Sequence, residues 1–284
     1  DFRQQLPVVE YSDLEPWIEQ ICEGQNGVLT NEKVLLLEPT SGSSALKLIP
    51  YTQELRRQFQ LGVAAWITHL FWSHPQLLKG RAYWSITPPP GQPQRTSGGL
   101  PIGFADDASY LANFAQNLVR SWLVSSKAQG PAPTAEFLAQ CQDLTLVSVW
   151  SPSYWMLISQ ILEQQGRRPQ DLWPHLRLIS CWGDGPARLY RAALQDKYPM
   201  VTFQDKGLLA TEGIVTLPWG QHKPLALRSH FFEFLQDDGQ LLLAHQLKAH
   251  HVYEVVLTTG GGFYRYRLGD LVQVDGFVGE CPSL

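Results

Sequence analysis

The stretch from Leu144 to Phe203 alternates two hydrophobic patterns, and that alternation limits what the chain can fold into. Leu144–Val149, Leu176–Cys181 and Val201–Phe203 are short apolar runs bounded by turn residues, the pattern of buried strands. Between them, Tyr154–Gln164 and Ala187–Lys197 carry helical spacing. Strands that alternate with helices close as a parallel sheet with right-handed crossovers. From Gly213 the pattern changes. Ile214–Leu217, Phe231–Leu235, Val252–Leu257, Phe263–Arg267 and Leu271–Val274 follow one another without helices, which predicts an antiparallel or barrel-like part. The expected fold class is therefore α/β, with mostly parallel sheets flanked by helices over residues 1–212 and a mainly β portion over 213–284.

Upstream, Asp13–Ile21 reads as a short helix capped at Ser12 or Asp13, and Val34–Leu37 as a buried strand. Thr52 is placed to cap a helix that runs to about Trp72 and turns apolar on all sides, so it belongs to the interior. Ala82–Ile86 reads as a strand, Thr87–Gly99 as a loop, Asp107–Val124 as an amphipathic helix and Ser125–Pro133 as a polar connector. With 284 residues, 44% of them hydrophobic, the chain can build one large domain or two intimate subdomains. A net charge of −4 without a basic block argues against a nucleic-acid partner. The longest apolar stretch, Leu61–Trp72, is too short to span a bilayer. Four widely spaced cysteines without C-x-x-C pairs point to reduced thiols in a cytoplasmic protein, not to a zinc site or a disulfide framework. The chain opens on Asp1 without Met, so a preceding segment is expected.

Four segments could carry chemistry. Thr40, Ser41, Gly42, Ser43 and Ser44 follow the Val34–Leu37 run and lead to Lys47. Small residues, hydroxyls, free backbone N–H groups and a mobile cation can wrap phosphate oxygens, although a polar turn has the same composition. It is not a Walker loop, because Leu46 and Leu48 flank the lysine. Cys181-Trp-Gly-Asp-Gly-Pro186 joins a strand to a helix, where glycines admit a flat ring or simply make a turn. Thr211 and Glu212 set a hydroxyl and a carboxylate side by side, suited to a phosphate oxygen and Mg²⁺ or to a surface ion pair. Gly260-Gly-Gly-Phe-Tyr-Arg-Tyr-Arg-Leu-Gly-Asp270 places Arg265 and Arg267 on one face of a strand, then a tight turn ending in Asp270. A carboxylate there can accept two hydrogen bonds from a ribose diol, or close a structural hairpin.

The order of these segments is the layout of adenylate-forming enzymes. Thr40-Ser-Gly-Ser-Ser44 with Lys47-Leu-Ile-Pro50, Gly99-Leu-Pro101, Ala210-Thr-Glu212 and Tyr264-Arg-Tyr-Arg-Leu-Gly-Asp270 together resemble the Gretchen Hagen (auxin-responsive promoter) family of acyl-acid amido synthetases. Ser180-Cys-Trp-Gly-Asp-Gly185 looks like the bacterial branch of that family. The resemblance implies a ligase that uses Mg-ATP to convert a carboxylic acid to an acyl-adenylate, then passes the acyl group to an amino acid amine. A nucleotide-binding homologue without ligase activity and a relative that forms acyl-coenzyme A are the alternatives.

By the same resemblance Ser41, Gly42, Ser43, Ser44 and Lys47 would hold the triphosphate, and Thr211 and Glu212 would serve the α-phosphate and Mg²⁺. Asp270 would hold the ribose with support from Arg267, and Trp182 and Gly183 would border the adenine. The acid pocket is expected along Trp66 and His69 and around Gly99 and Leu100, although a lone His on an apolar helix is more often structural. The loop carries Ala45 where the family offers Gly, and is one residue shorter before Lys47. The whole chain is expected to be the family's large domain, with the small C-terminal domain following Leu284.

Overall fold

The computed structural model describes residues 2–40, 47–85, 94–104, 122–124 and 130–284. It forms two compact units that do not follow chain order. Unit 1 joins Asp1–Trp66, Pro93–Phe104 and Leu208–Leu284, and unit 2 joins Ile67–Gln92 and Ala105–Gly207.

Unit 2 holds the parallel sheet expected from the alternating pattern. Its strands are β3 (Arg81–Ser85), β6 (Leu123–Val124), β7 (Leu144–Val149), β8 (Leu178–Cys181) and β9 (Thr202–Asp205), in the order β6-β3-β7-β8-β9. Every neighbouring pair is parallel. The helices Pro152–Gln164 and Arg188–Lys197 are crossovers, and Ser151 caps the first through Ser153 N at 3.2 Å. Trp155, Ile158, Leu162, Trp173 and Tyr198 pack with Val147 and Ile179 as one core. Removing that apolar area from water is what holds this unit together.

Two expectations fail here. The segment Asp107–Val124 does not end as a helix, because Leu123 and Val124 pair with β3; residues 105–121 and the connector residues 125–129 lie outside the described residues. Pro131–Ala139, expected to begin in a connector, is a helix with Pro131 in its first turn, where a missing N–H costs nothing.

Among the described residues, unit 1 contains three antiparallel or mixed sheets. β1 (Leu36–Pro39) pairs antiparallel with β2 (Leu48–Tyr51), with β5 (Pro101–Ile102) and β4 (Gln94–Arg95) completing the order β2-β1-β5-β4. The strand β2 is absent from the sequence reading because Pro50 breaks the strand pattern. The second sheet runs β11-β10-β12-β13, from Leu241–Leu242, Phe231–Leu235, Val252–Thr258 and Tyr266–Gln273. Gly276–Val278 and Cys281–Ser283 form a last hairpin, β14–β15.

Three helices complete the frame: α1 (Phe2–Gln5), α2 (Tyr11–Cys22) and α3 (Gln53–Ser73). Thr52 caps α3 as expected, its Oγ1 accepting from Leu55 N at 3.1 Å. The start of α2 differs from the reading. Glu10 is the N-cap, and Asp13 sits three residues inside, accepting from Glu10 N at 2.8 Å.

Phe263–Arg267 and Leu271–Val274 are not two strands separated by a turn. Tyr266 and Arg267 of the first and Leu271 to Gln273 of the second lie on one strand, β13, which bulges against β12. Val256 faces Arg267 and Glu254 faces Leu271, so three residues, Leu268 to Asp270, stand opposite Val255 alone. Gly269 absorbs the bulge at φ +88.

Candidate nucleotide site

Lys47, Thr211, Glu212, Tyr266 and Asp270 all belong to unit 1. Ser41, Gly42, Ser43 and Ser44 lie outside the described residues, but the frame that carries them is clear. Pro39 pairs with Leu48, and Thr40 N donates to Lys47 O at 2.9 Å, so the Ser/Gly stretch connects two antiparallel strands. Lys47 is held on two sides. Its ammonium lies 5.6 Å from the centre of the Tyr11 ring, and its Nζ donates to Tyr266 Oη at 3.4 Å. Tyr11 is itself fixed, since its Oη accepts from Leu48 N at 2.8 Å.

Thr211 and Glu212 form the tip of a tight turn. Ala210 N donates to Gly213 O at 3.0 Å, and Gly213 N returns a bond to Ala210 O at 3.2 Å. Tyr51 Oη donates to Thr211 O at 2.8 Å, which pins the tip to β2. Glu212 is buried, and Tyr266 Oη donates to its Oε1 at 3.3 Å. Burial pushes the Glu212 carboxyl above the usual carboxylate range, while its own backbone N–H, Lys47 and Tyr266 pull it back. Tyr266 is raised as well, chiefly by burial and then by Glu212.

Asp270 stands on the bulge of β13 and opens to solvent, yet the protein around it withholds enough water to raise its carboxyl. The cation that opposes this rise is Lys47. Lys47, Glu212 and Asp270, from three distant segments, thus share one electrostatic neighbourhood around the Tyr266 hydroxyl.

Arg265 and Arg267 do not share a strand face with that cluster. Arg265 precedes β13 at φ +52 and is buried. Its Nε and Nη2 donate to the two Glu233 carboxylate oxygens, each at 2.9 Å, and its Nη1 donates to Leu6 O at 2.6 Å and to Arg3 O. Arg267 is committed to Glu254 at 2.7 Å and to Glu10 at 2.6 Å. Backbone bonds Val9 N to Arg265 O and Arg267 N to Val9 O complete the pairing. Both arginines therefore clasp the N-terminal segment, and the cation that acts on the Asp270 carboxyl is Lys47.

The remaining candidates have their own surroundings. Trp182 meets Trp150 edge-on at 6.2 Å in unit 2. The Asp205 carboxylate, paired with Arg191 at 2.7 Å, occupies the space that a Cβ on Gly183 would need. Trp66 is buried in α3, and His69 Nε2 lies 3.4 Å from Ser73 Oγ. Gly99 adopts φ +84 in a turn, and Leu100 packs on the cluster Ile21, Val34 and Leu37.

The chain matches the GH3 family N-terminal domain over residues 1–165 and the GH3 family central domain over residues 224–284. It belongs to the GH3 family. Indole-3-acetic acid-amido synthetase GH3.2 of Arabidopsis thaliana is 22% identical, over 99% of this chain and 66% of its own length. Jasmonoyl-L-amino acid synthetase JAR6 of Nicotiana attenuata is 23% identical, over 100% and 62%. Among solved structures, the AtGH3.15 acyl acid amido synthetase in complex with 2,4-DB superposes with a TM-score of 0.82 at 18% identity, over 98% of this chain and 60% of its own. A 2-hydroxyisobutyryl-CoA ligase superposes with a TM-score of 0.65 at 13% identity, over 98% and 61%. The fold is that of the adenylate-forming enzymes. The GH3 chain spans under two-thirds of the length of these relatives.

Proposed function

We propose that this GH3 chain carries the nucleotide-binding part of an ATP-dependent acid–amine ligase. The observation that supports the reading is the convergence of Lys47, Glu212 and Asp270 on Tyr266 in a chain of this family. In the first half-reaction the substrate carboxylate attacks the α-phosphorus of ATP, and pyrophosphate leaves. In the second an amino acid amine attacks the acyl carbon, and AMP leaves. Negative charge builds on the α-phosphate during the first step. Lys47, the N–H and hydroxyl groups of residues 41–44, and Thr211 are the groups to stabilise it. Asp270 accepts hydrogen bonds from the ribose hydroxyls.

Among the described residues no three His, Cys, Asp or Glu side chains form a metal cage. Mg²⁺ requires none, since it takes one or two carboxylates and completes its shell with phosphate oxygens and water, so Glu212 fits that partner. When bound, the metal would supply Lewis-acid charge stabilisation. The buried Glu212 carboxylate is fixed for that task by Tyr266 Oη. Among the described residues no helix is long and apolar enough to cross a membrane, and small-molecule acids and amino acids in the cytoplasm are the partners this reading implies.

ATP–pyrophosphate exchange by the full-length protein with a panel of acids tests the proposal. Absence of acid-dependent exchange with every acid would overturn it, and product analysis with amino acids and with coenzyme A identifies the acceptor. Asp270→Ala should weaken ATP and AMP binding by about 1.5–3 kcal/mol, the range for hydrogen bonds to a charged group. Unchanged affinity by calorimetry would leave Asp270 a residue of the bulge alone. Glu212→Gln keeps the size and removes the charge. Magnesium-dependent exchange should fall far more than AMP binding, because the metal matters most where phosphate charge develops. Equal losses in both would assign Glu212 a structural role.

A further inference from the structure

Beneath the Thr211–Glu212 turn lies a buried polar relay that no sequence motif marks. Ser229 and His230 clamp both backbone groups of Ile214. Ile214 N donates to His230 Nε2 at 3.2 Å, and Ser229 Oγ donates to Ile214 O at 2.9 Å. On its other side His230 Nδ1 is 3.0 Å from Gln58 Oε1 on α3. The same Gln58 oxygen accepts from Gly260 N at 2.9 Å, and Thr52 Oγ1 donates to Gly260 O at 2.9 Å.

These contacts determine the histidine tautomer. Nε2 accepts from a backbone N–H, so the proton sits on Nδ1 and is donated to Gln58. The imidazole is also packed tightly. Phe59 and Phe232 meet it edge-on, each at 5.9 Å, and a Cβ on Gly213 would lie only 2.8 Å from Nε2. Gly213 directly follows Glu212. The ring therefore sets the height of the turn base, and Gln58 ties that base to α3 and to the Gly260–Gly262 turn.

We infer that His230 is a positioning residue for the Thr211–Glu212 turn, acting through Gly213 and Ile214 together with its partner Gln58. This rests on the adenylation reading above for its activity readout. The physical reason is preorganisation. A carboxylate that must meet charge developing on a phosphate is useful only if its backbone does not move. A misplacement of about 1 Å costs on the order of a hundredfold in rate. His230 itself touches neither substrate nor metal in this scheme.

The test uses the full-length protein and three variants. His230→Phe keeps the ring volume and removes both hydrogen bonds. His230→Gln restores an acceptor at the distance of Nε2. Gln58→Leu leaves His230 in place and removes its partner, which keeps the test informative should His230→Phe fail to fold. Amide hydrogen exchange in ligand-free protein should speed up at Ile214 by about tenfold or more in His230→Phe, and at Gly260 in Gln58→Leu. At saturating ATP and acid, pyrophosphate exchange turnover should drop about 10- to 100-fold in His230→Phe with KM for ATP changed less than about threefold, and His230→Gln should recover most of it. Unchanged Ile214 exchange in His230→Phe, unchanged Gly260 exchange in Gln58→Leu, turnover within about twofold of wild type, or equal losses in His230→Phe and His230→Gln would each overturn the assignment. Inactive wild-type protein with normally responding amides would instead point to failure of the adenylation reading.

Discussion

Glu233→Ala should destabilise unit 1 by about 3–5 kcal/mol, the cost of leaving one member of a buried ion pair without its partner. The side chains concerned are only 7% and 2% exposed, for Arg265 and Glu233 respectively. The guanidinium would retain the carbonyls of Arg3 and Leu6 but lose its only carboxylate contact among the described residues. Urea unfolding measures the loss directly. Replacing both residues by apolar ones should recover part of it, because most of the penalty is the stranded charge. A loss below about 1 kcal/mol would mean that water reaches Arg265 and that the pair behaves as a surface one.

The second large effect depends on pH. Burial holds His230 well below its ordinary range, at about 4. Above the unfolded value of about 6.5 the ring is neutral in both states and contributes nothing to the slope. As pH falls from about 6.5 to about 4 the unfolded chain takes up a proton that the native ring refuses, so stability declines. Across that window the loss amounts to about 3 kcal/mol, and below about pH 4 it is complete. The buried carboxyl of Glu212 titrates in the opposite sense, since a raised pKa favours the native state in acid. The informative quantity is therefore the difference in acid slope between wild type and His230→Phe. Parallel slopes from pH 7 to pH 4 would show that the imidazole is protonated in the native protein.

Much of this architecture is legible in the chain because periodicity is local. The strands β7 and β8 and the helix after each stand out where apolar runs give way to helical spacing. Lys47, Glu212 and Asp270 are also legible, because each sits in a short pattern of small or charged residues that a core would not choose. What escaped the sequence reading is long-range. Nothing near Arg265 and Arg267 announces that their carboxylate and carbonyl partners lie in the N-terminal segment and in β10 and β12. Gly269 reads as a turn because glycine marks turns and bulges alike, so the pattern splits one bulged strand in two. Gly183 reads equally as room for a flat ring or as an ordinary turn, and nothing in the sequence announces that Asp205 lies against it. His230 offered only a weak signal, a lone polar residue beside the apolar run Phe231–Leu235.

The clasp between the N-terminal segment and β13 has a consequence for the order in which the protein can be made. Arg267 and Glu10 are 257 residues apart, and the backbone pairing of Val9 lies beside them. A ribosome must extrude the residues between them before Arg267 can reach Glu10. Closing a loop of that size gains contacts only after its entropy cost has been met. The crossovers from β7 to β8 and from β8 to β9 need no such wait, since each joins strands that are consecutive in sequence. The strand that bears Asp270 therefore gains its Val9 bridge only after a long loop has closed, and a β13 edge left without it is open to association with other chains.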